Sequence, residues 1–471
     1  MDYIYNKKYN KYKKKYLLLK QLIQEGGNIN FAGKGSFGCL LCPPIKLSKV
    51  INSYENYTIP NFSFDKYNNC DYIGKILAEG GFGIDSYQKE LKQFLTIKEL
   101  DPNGKYTPQL IYANVYEKKD LQDELLIYKG SLDLVQNDEL QRNYELLTTC
   151  LNDKIRLYDK FGYIISRHTG LSLESKYNSK TGKETDINKL KNFLTNFNVL
   201  LEFIKTLYDK NYLHLDIKMD NITVKEDGKL YLIDFGRFTE IDNNNYQNII
   251  RRYLRNPHEM YSFEPKIYTS FMKKCKTIVS IENLITYVNN TDFDQLIYPY
   301  KIMPNSFLHI ILKKVLKIDD TEENESIDII QIYQKKYFLE HLNSENTIQR
   351  LNDIINKKNI DAKTHMYVSL VNGTRREGAR VMKTNDNKEI KNKEKNISSV
   401  LEAVFLPIIK KYDLYCIGIV LAQVVFFNFD FDNLIPNFKE QFIELIKNLL
   451  FNKFDDVSVI ISEIDELQKL I

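Results

Sequence analysis

Residues 214–221 read HLDIKMDN, and residues 233–236 read IDFG. No other stretch constrains the fold as tightly. Ahead of it, INKLKNFLTNFNVLLEFIKTLYDK (187–210) places Leu, Phe and Ile at i, i+3 and i+4, which predicts a long amphipathic helix. Behind it, ITV (222–224) and LYLID (230–234) flank the turn KEDGK and predict two short paired strands. A loop after the helix would present Asp216, with Asn221 a turn further on and Asp234 returned beside it by the hairpin. Two oxygen ligands so placed suit Mg²⁺, which takes few protein ligands and keeps its waters. Asp216 would then sit where it accepts a proton from an attacking hydroxyl. Lys218 would neutralise charge on a transferring phosphoryl group.

These residues resemble the protein-kinase family. HLDIKMDN is similar to its catalytic loop H-R-D-L-x-x-x-N, and IDFG to its metal-binding motif. The resemblance implies Asp216 as catalytic base, Asn221 and Asp234 as Mg²⁺ ligands, and Lys218 on the γ-phosphate of ATP. A lysine two residues after the aspartate is the serine/threonine-kinase pattern. GKGSFGCL (33–40) resembles the Gly-rich loop, with Leu40 in the place of valine. There, backbone N–H groups approach phosphate oxygens closely in a strained hairpin. ATP is thus expected against Ala32, Gly33, Lys34, Gly35, Ser36, Phe37, Gly38, Cys39 and Leu40. Lys75 in YIGKIL resembles the phosphate-binding lysine of V-A-I-K. Its expected partner is Glu90 on the helix predicted for DSYQKELKQFLTIKEL (85–100), with Glu79 and Glu99 as the other candidates. That helix should stop at Asp101-Pro102. DLYCIGIVL (413–421) resembles the helix whose aspartate, here Asp413, braces the catalytic loop. Glu264 in YSFEP resembles the glutamate of A-P-E, and YIISRHTGLSL (163–173) the hinge, with adenine near Ile165–Arg167.

The chain departs from that pattern in several places. Leu215 replaces the arginine of H-R-D, which removes the bidentate partner of a phosphorylated activation loop and implies activity independent of such phosphorylation. About 30 extra residues precede Lys75, a count read by comparison with the family's loop length. Residues 266–410 are inserted ahead of Asp413 and are expected to govern substrate choice or to dock a partner. Arg380 is the last arginine, so Glu264 would have to pair with a lysine such as Lys453. Ile73 stands where a small alanine normally roofs adenine.

The resemblance implies an α+β, bilobal protein-kinase-like fold. Its parts would be a basic arm (1–28), a β-rich N-lobe (29–165), a helical C-lobe (166–265 and 411–471) and the insertion 266–410. GKGSFGCLLCPP with a distant YIGK, after a Lys/Tyr-rich helix ending in Gly26-Gly27, is similar to protein kinases of giant nucleocytoplasmic DNA viruses. That narrower resemblance implies a host-cytoplasm or virion location, and Gly26-Gly27 as a processing site; without it the expectation is cytoplasmic. The function implied is an ATP- and Mg²⁺-dependent serine/threonine protein kinase. A pseudokinase or virion scaffold is the alternative, and a small-molecule kinase the third reading.

Composition narrows the classes further. A net charge of +4 over 471 residues gives no support to a nucleic-acid partner. The longest apolar run, YCIGIVLAQVVFF (415–427), is shorter than the roughly 20 residues a transmembrane helix needs, and predicts a buried helix in a soluble protein. The cysteines, Cys39, Cys42, Cys70, Cys150, Cys275 and Cys416, are scattered and read as reduced thiols in a cytosol-like compartment. The polar stretch 383–396 reads as a disordered loop.

Overall fold

The computed structural model describes residues 30–471 except 35–37, 48–49, 52–53, 68–69, 79–83, 136–137, 156–158, 179–181, 242–280, 292–305, 319–322, 348, 350–352, 354–405, 408 and 452. The expectations for the arm 1–28, for Glu264 and for 383–396 lie outside these residues. The chain divides into two compact units, Met1–Ser172 with Ile222–Gly236, and Leu173–Asn221 with Arg237–Ile471. Helices and antiparallel sheets are mixed, an α+β content.

The first unit is built on a six-stranded antiparallel sheet of order β1-β2-β4-β6-β5-β3. Its strands are β1 (Asn30–Lys34), β2 (Gly38–Cys42), β3 (Tyr57–Thr58), β4 (Tyr72–Ala78), β5 (Leu110–Glu117) and β6 (Lys160–Arg167). LIYANVYE and KFGYIISR are apolar on both sides of the alternation, as strands covered on both faces must be. Helix α1 (Ile84–Leu100) covers one face, with Tyr87 and Leu91 clustered with Leu77, Ala113 and Ile164. The other face packs against α2 (Lys118–Val135) and α3 (Asp138–Ile155), whose Leu121, Leu147 and Leu151 join Leu41, Ile76 and Tyr163. A β-rich N-lobe with a helix over 85–100 is expected for 29–165, and α2 and α3 add two helices to it. Their core-facing positions are few among charged and amide residues, so the apolar stripe is narrow. Gly74 in β4 is required by Tyr163, whose ring and hydroxyl occupy the space a Cβ would fill. That hydroxyl accepts the Ile45 N–H at 2.7 Å.

Helix α1 ends, as expected, at Asp101. The buried carboxylate accepts the backbone N–H groups of Lys105, Tyr106 and Thr107 at 2.8, 2.8 and 2.9 Å, and the Thr107 hydroxyl at 2.9 Å. This loop sets up the smaller sheet of the unit, β7 (Leu171–Ser172), β9 (Ile222–Val224) and β10 (Leu230–Leu232), because Tyr106 O accepts the Leu232 N–H at 2.9 Å. The predicted pair 222–224 and 230–234 is that β9–β10 hairpin.

The cysteine expectation is overturned. Cys39 is bonded to Cys150, and Cys42 to Cys70. Cysteines far apart in sequence meet here because α3 packs against β1 and β2 and because the segment before β4 returns to the end of β2. Among the described residues only Cys416 is a free thiol, and it is buried.

The second unit is helical. Helix α4 (Leu173–Asn178) precedes α5 (Ile187–Asp209), which starts at Asp186, whose side chain accepts the Asn188 N–H at 2.9 Å. Leu190, Leu194, Phe197, Leu201 and Ile204 form its buried stripe. Within the predicted insertion lie α6 (Ile281–Asn290), α7 (Phe307–Leu316) and α8 (Glu323–Leu342). They are followed by α9 (Tyr412–Asn428), α10 (Pro436–Leu450) and α11 (Val457–Lys469). Helix α9 is buried along nearly its whole length, which accounts for its continuous apolar run. Helix α7 packs on α9 and α10, with Lys314 over the Phe431 ring at 5.0 Å and 3.0 Å from Asp432. Asn198 ties α5 to α11 by donating to Asp465 at 2.7 Å. No helix among the described residues is long and apolar enough to cross a membrane.

Candidate active site

Each unit carries one set of chemically capable side chains. In the first, Lys75 on β4 meets Glu90 on α1 at 2.6 Å. The lysine is paired in register with Leu40 of β2 and Ile164 of β6, so its position is fixed from both sides. Burial opposes its charge, but Glu90 and then Asp234 outweigh burial and hold its pKa above the ordinary lysine value. Of the two candidate carboxylates that are described, Glu90 and Glu99, Glu90 is thus the one bonded to Lys75. Glu79 lies outside the described residues.

Asp234 follows β10 in the left-handed region (φ 58°), and its Oδ1 accepts the Gly236 N–H at 3.3 Å. Lys89, next to Glu90 on α1, donates to Gly236 O at 2.7 Å and fastens the Asp234-Phe235-Gly236 run to that helix. The Gly-rich hairpin is formed by β1 and β2, with a register shift between Phe31 and Gly33 that leaves Ala32 out of the pairing. Gly33 and Lys34 lie on β1, Gly38, Cys39 and Leu40 on β2, and Gly35, Ser36 and Phe37 outside the described residues. The Cys39 side chain is committed to Cys150 and buried, so only its backbone can meet a ligand. The Arg167 N–H donates to Gln109 O at 3.0 Å and the His168 N–H to Asp71 O at 2.7 Å. Ile165 and Ser166 pair with Gly74 and Ile73 in the ladder. The backbone expected to meet adenine near Ile165–Arg167 is therefore interior sheet, and Arg167 spends its N–H inside the protein.

In the second unit, the loop after β8 (Tyr212–Leu213) is organised by Asp413 at the start of α9. The fully buried carboxylate accepts the His214 N–H at 2.7 Å and the Leu215 N–H at 2.9 Å. Leu215 has φ 60°, an unfavourable conformation for a leucine, and these bonds hold it there. Burial pushes the Asp413 carboxyl up to about 7, while the two backbone donors pull it down. Asp216 follows with a side chain only 16% exposed. The Asn221 amide donates to Asp216 O at 2.8 Å and to Asp216 Oδ2 at 3.0 Å. Lys218 Nζ lies 3.4 Å from Oδ2. Asn221 thereby spends its amide hydrogens on Asp216 and keeps Oδ1 as an acceptor.

The sequence reading passes over Arg237. Its Nη1 lies 3.9 Å from Asp216 Oδ1, brought there by β11 (Thr239–Glu240) pairing with β8 and by Phe238 stacking on Tyr212 at 4.9 Å. The available signal was a single arginine directly after Asp-Phe-Gly, in a chain whose catalytic loop lacks one.

Residues 179–256 match the ABC1 atypical kinase-like domain. The chain is similar to a kinase-like family over that stretch, which takes in α5, the Asp216 loop, the β9–β10 hairpin and Asp234. The match does not extend to the Gly-rich hairpin, Lys75 or Asp413. No curated protein matches the chain.

Proposed function

We propose that the chain is an ATP-dependent serine/threonine protein kinase. The observation that carries this reading is the Asp216 carboxylate, held by Asn221, flanked by Lys218, and resting on a loop pinned by Asp413. A group so placed can take the proton of a hydroxyl as its oxygen bonds to the γ-phosphorus and the bond to the β-phosphate oxygen breaks. Lys218 offsets negative charge on the transferring group. Lys75, aligned by Glu90, would bind the α- and β-phosphates, and the β1–β2 turn would cover them with backbone N–H groups. Catalysis on this reading is positioning and electrostatic stabilisation.

By their donor chemistry Asn221 and Asp234 each suit magnesium. Asn221 Oδ1 and the Asp234 carboxylate are hard oxygen ligands, and two such groups are what a Mg²⁺ bound mainly to water and phosphate needs. Asn221 and Asp234 would hold the ion, which supplies charge neutralisation at the phosphates. The resemblance of GKGSFGCLLCPP and its distant YIGK to protein kinases of giant nucleocytoplasmic DNA viruses is the support for a viral setting, with a protein as substrate and the insertion 266–410 as docking element. The competing reading is a scaffold with a kinase-like fold, favoured by the bulk of Ile73.

The test is transfer from γ-labelled ATP with Mg²⁺ to generic basic and acidic proteins, with Asp216→Ala alongside. Label transfer by wild type, abolished in the variant, supports the reading. Equal null signals with no thermal stabilisation by ATP and Mg²⁺ would leave the scaffold.

A further inference from the structure

The two bonded cysteines on β2 are unused by the chemistry above, yet both belong to the strand that leaves the Gly-rich turn. Cys39 is 0% exposed and Cys150, on α3, is 1% exposed. Leu40, the residue after Cys39, is in register with Lys75. At the far end of the same strand Cys42 is bonded to Cys70, which is exposed and lies just before β4. Apart from this bond, α3 is held on the sheet by Leu147 and Leu151 among Leu41, Ile76 and Tyr163. The ladders with β1 and β4 set the register of β2, whereas these apolar contacts of α3 are non-directional, so the bond is the point at which α3 is tied to the hairpin.

We propose that the Cys39–Cys150 bond is a modification site through which a dithiol reductant loosens the Gly-rich hairpin and weakens nucleotide binding. The affected ligand, a nucleoside triphosphate, rests on the function proposed above. Chemically, a thiolate of the reductant attacks one sulfur, a mixed disulfide forms, and the reductant's second thiol displaces the protein sulfur. The reductant leaves as a disulfide, and two electrons and two protons end on Cys39 and Cys150 as thiols. The separation of 111 residues means the bond restricts a long stretch of unfolded chain, which is where a crosslink does most. It also limits the freedom of a hairpin that must be ordered to bind phosphate, and such preorganisation strengthens binding. Because the bond is buried, its reduction requires α3 to lift from β1 and β2. The Cys42–Cys70 bond, exposed at its Cys70 end, is reached first.

The experiment uses the full chain, purified without reductant and then equilibrated with dithiothreitol. Peptide mapping identifies the crosslinks, a fluorescent ATP analogue with Mg²⁺ reports affinity, and hydrogen exchange reports residues 30–42. The expected result is a Cys39–Cys150 crosslinked peptide, an affinity lower by about tenfold on reduction, and faster exchange across 30–42. Cys150→Ser should match the reduced protein without reductant, while Cys70→Ser should retain most of the affinity. Absence of the crosslink, or affinity and exchange unchanged by reduction, overturns the proposal. So does loss of the whole first unit's circular dichroism on reduction, because the bond would then serve overall folding. If the oxidised chain binds no nucleotide, the function proposed above fails, and exchange at 30–42 alone decides whether the bond restrains the hairpin.

Discussion

Asp413 concentrates two opposed demands in one side chain. It must accept two backbone N–H groups to hold Leu215 in a left-handed conformation, and it must do so without water. Burial wins, and its carboxyl is pushed from the ordinary value up to about 7. An acid whose folded value is raised binds its proton more tightly folded than unfolded, so stability from this group falls as pH rises between the two values and stays low above about 7. Wild type should therefore lose about 3 kcal/mol from this residue between pH 5 and pH 8, a slope that Asp413→Asn removes. Denaturant unfolding of both proteins at the two pH values measures it, and parallel pH dependences would refute the burial argument. Glu90 makes the opposite case, a carboxylate whose partner keeps its charge. Lys75 is held above its usual value, so its charge persists through neutral pH and is lost only in the alkaline range. On the function proposed above, Glu90→Gln leaves that lysine without its anchor and should lower kcat/KM about 100-fold with little change in melting temperature. Steady-state kinetics on a folded variant tests this.

At the level of elements, the connection after α1 matters more than its length suggests. Asp101 both ends that helix and orders the loop that receives β10, so one carboxylate links α1 to the strand preceding Asp234. Asp101→Ala would take the acceptor from three backbone N–H groups and a hydroxyl, those of Thr107 in a buried place, and should destabilise the first unit by about 3 kcal/mol. Thermal unfolding followed by tyrosine fluorescence would record it, whereas a change within 0.5 kcal/mol, about the size of an ordinary surface substitution, would show the loop is held by other means. Sequence made α1, α5, α9 and the β9–β10 hairpin legible, because each has either a strong 3.6-residue stripe, an unbroken apolar run or a turn between short apolar strands. Helices α2 and α3 escaped that reading. Among their described side chains the buried apolar ones are Leu121, Leu125, Leu147, Cys150 and Leu151, set between charged and amide residues that resemble loop. The disulfides escaped it too, since pairing depends on α3 meeting β2 across the sheet, and nothing in the spacing of Cys39 and Cys150 records that contact.

On the scale of the whole chain, the chemically capable groups fall into two sets that mutation can address separately. Asp216 and Asn221 were legible as neighbours because they lie five residues apart on one loop, and Lys75 with Glu90 because a strand lysine and a helix glutamate follow the glycine pattern. Arg237 was not, since its approach to Asp216 depends on the β8–β11 pairing. Lys75, Glu90 and Asp234 belong to the first unit, and Asp216, Lys218 and Asn221 to the second. On the function proposed here, Lys75 of the first set holds the nucleotide phosphates and Asp216 of the second serves only the chemical step. A ligand that binds only the folded state stabilises it by an amount set by its concentration relative to Kd, about 2.7 kcal/mol at 100 times Kd. ATP with Mg²⁺ at that concentration should therefore raise the melting temperature of wild type and of Asp216→Ala alike. Lys75→Met should abolish the rise, because an uncharged side chain leaves Glu90 facing the phosphates unneutralised. Phosphoryl transfer should be absent from both variants. Thermal shift and transfer measured on the same three proteins would sort the roles. A variant at Asp216 that lost the thermal shift while Lys75→Met kept it would reverse the assignment and place nucleotide affinity in the second set.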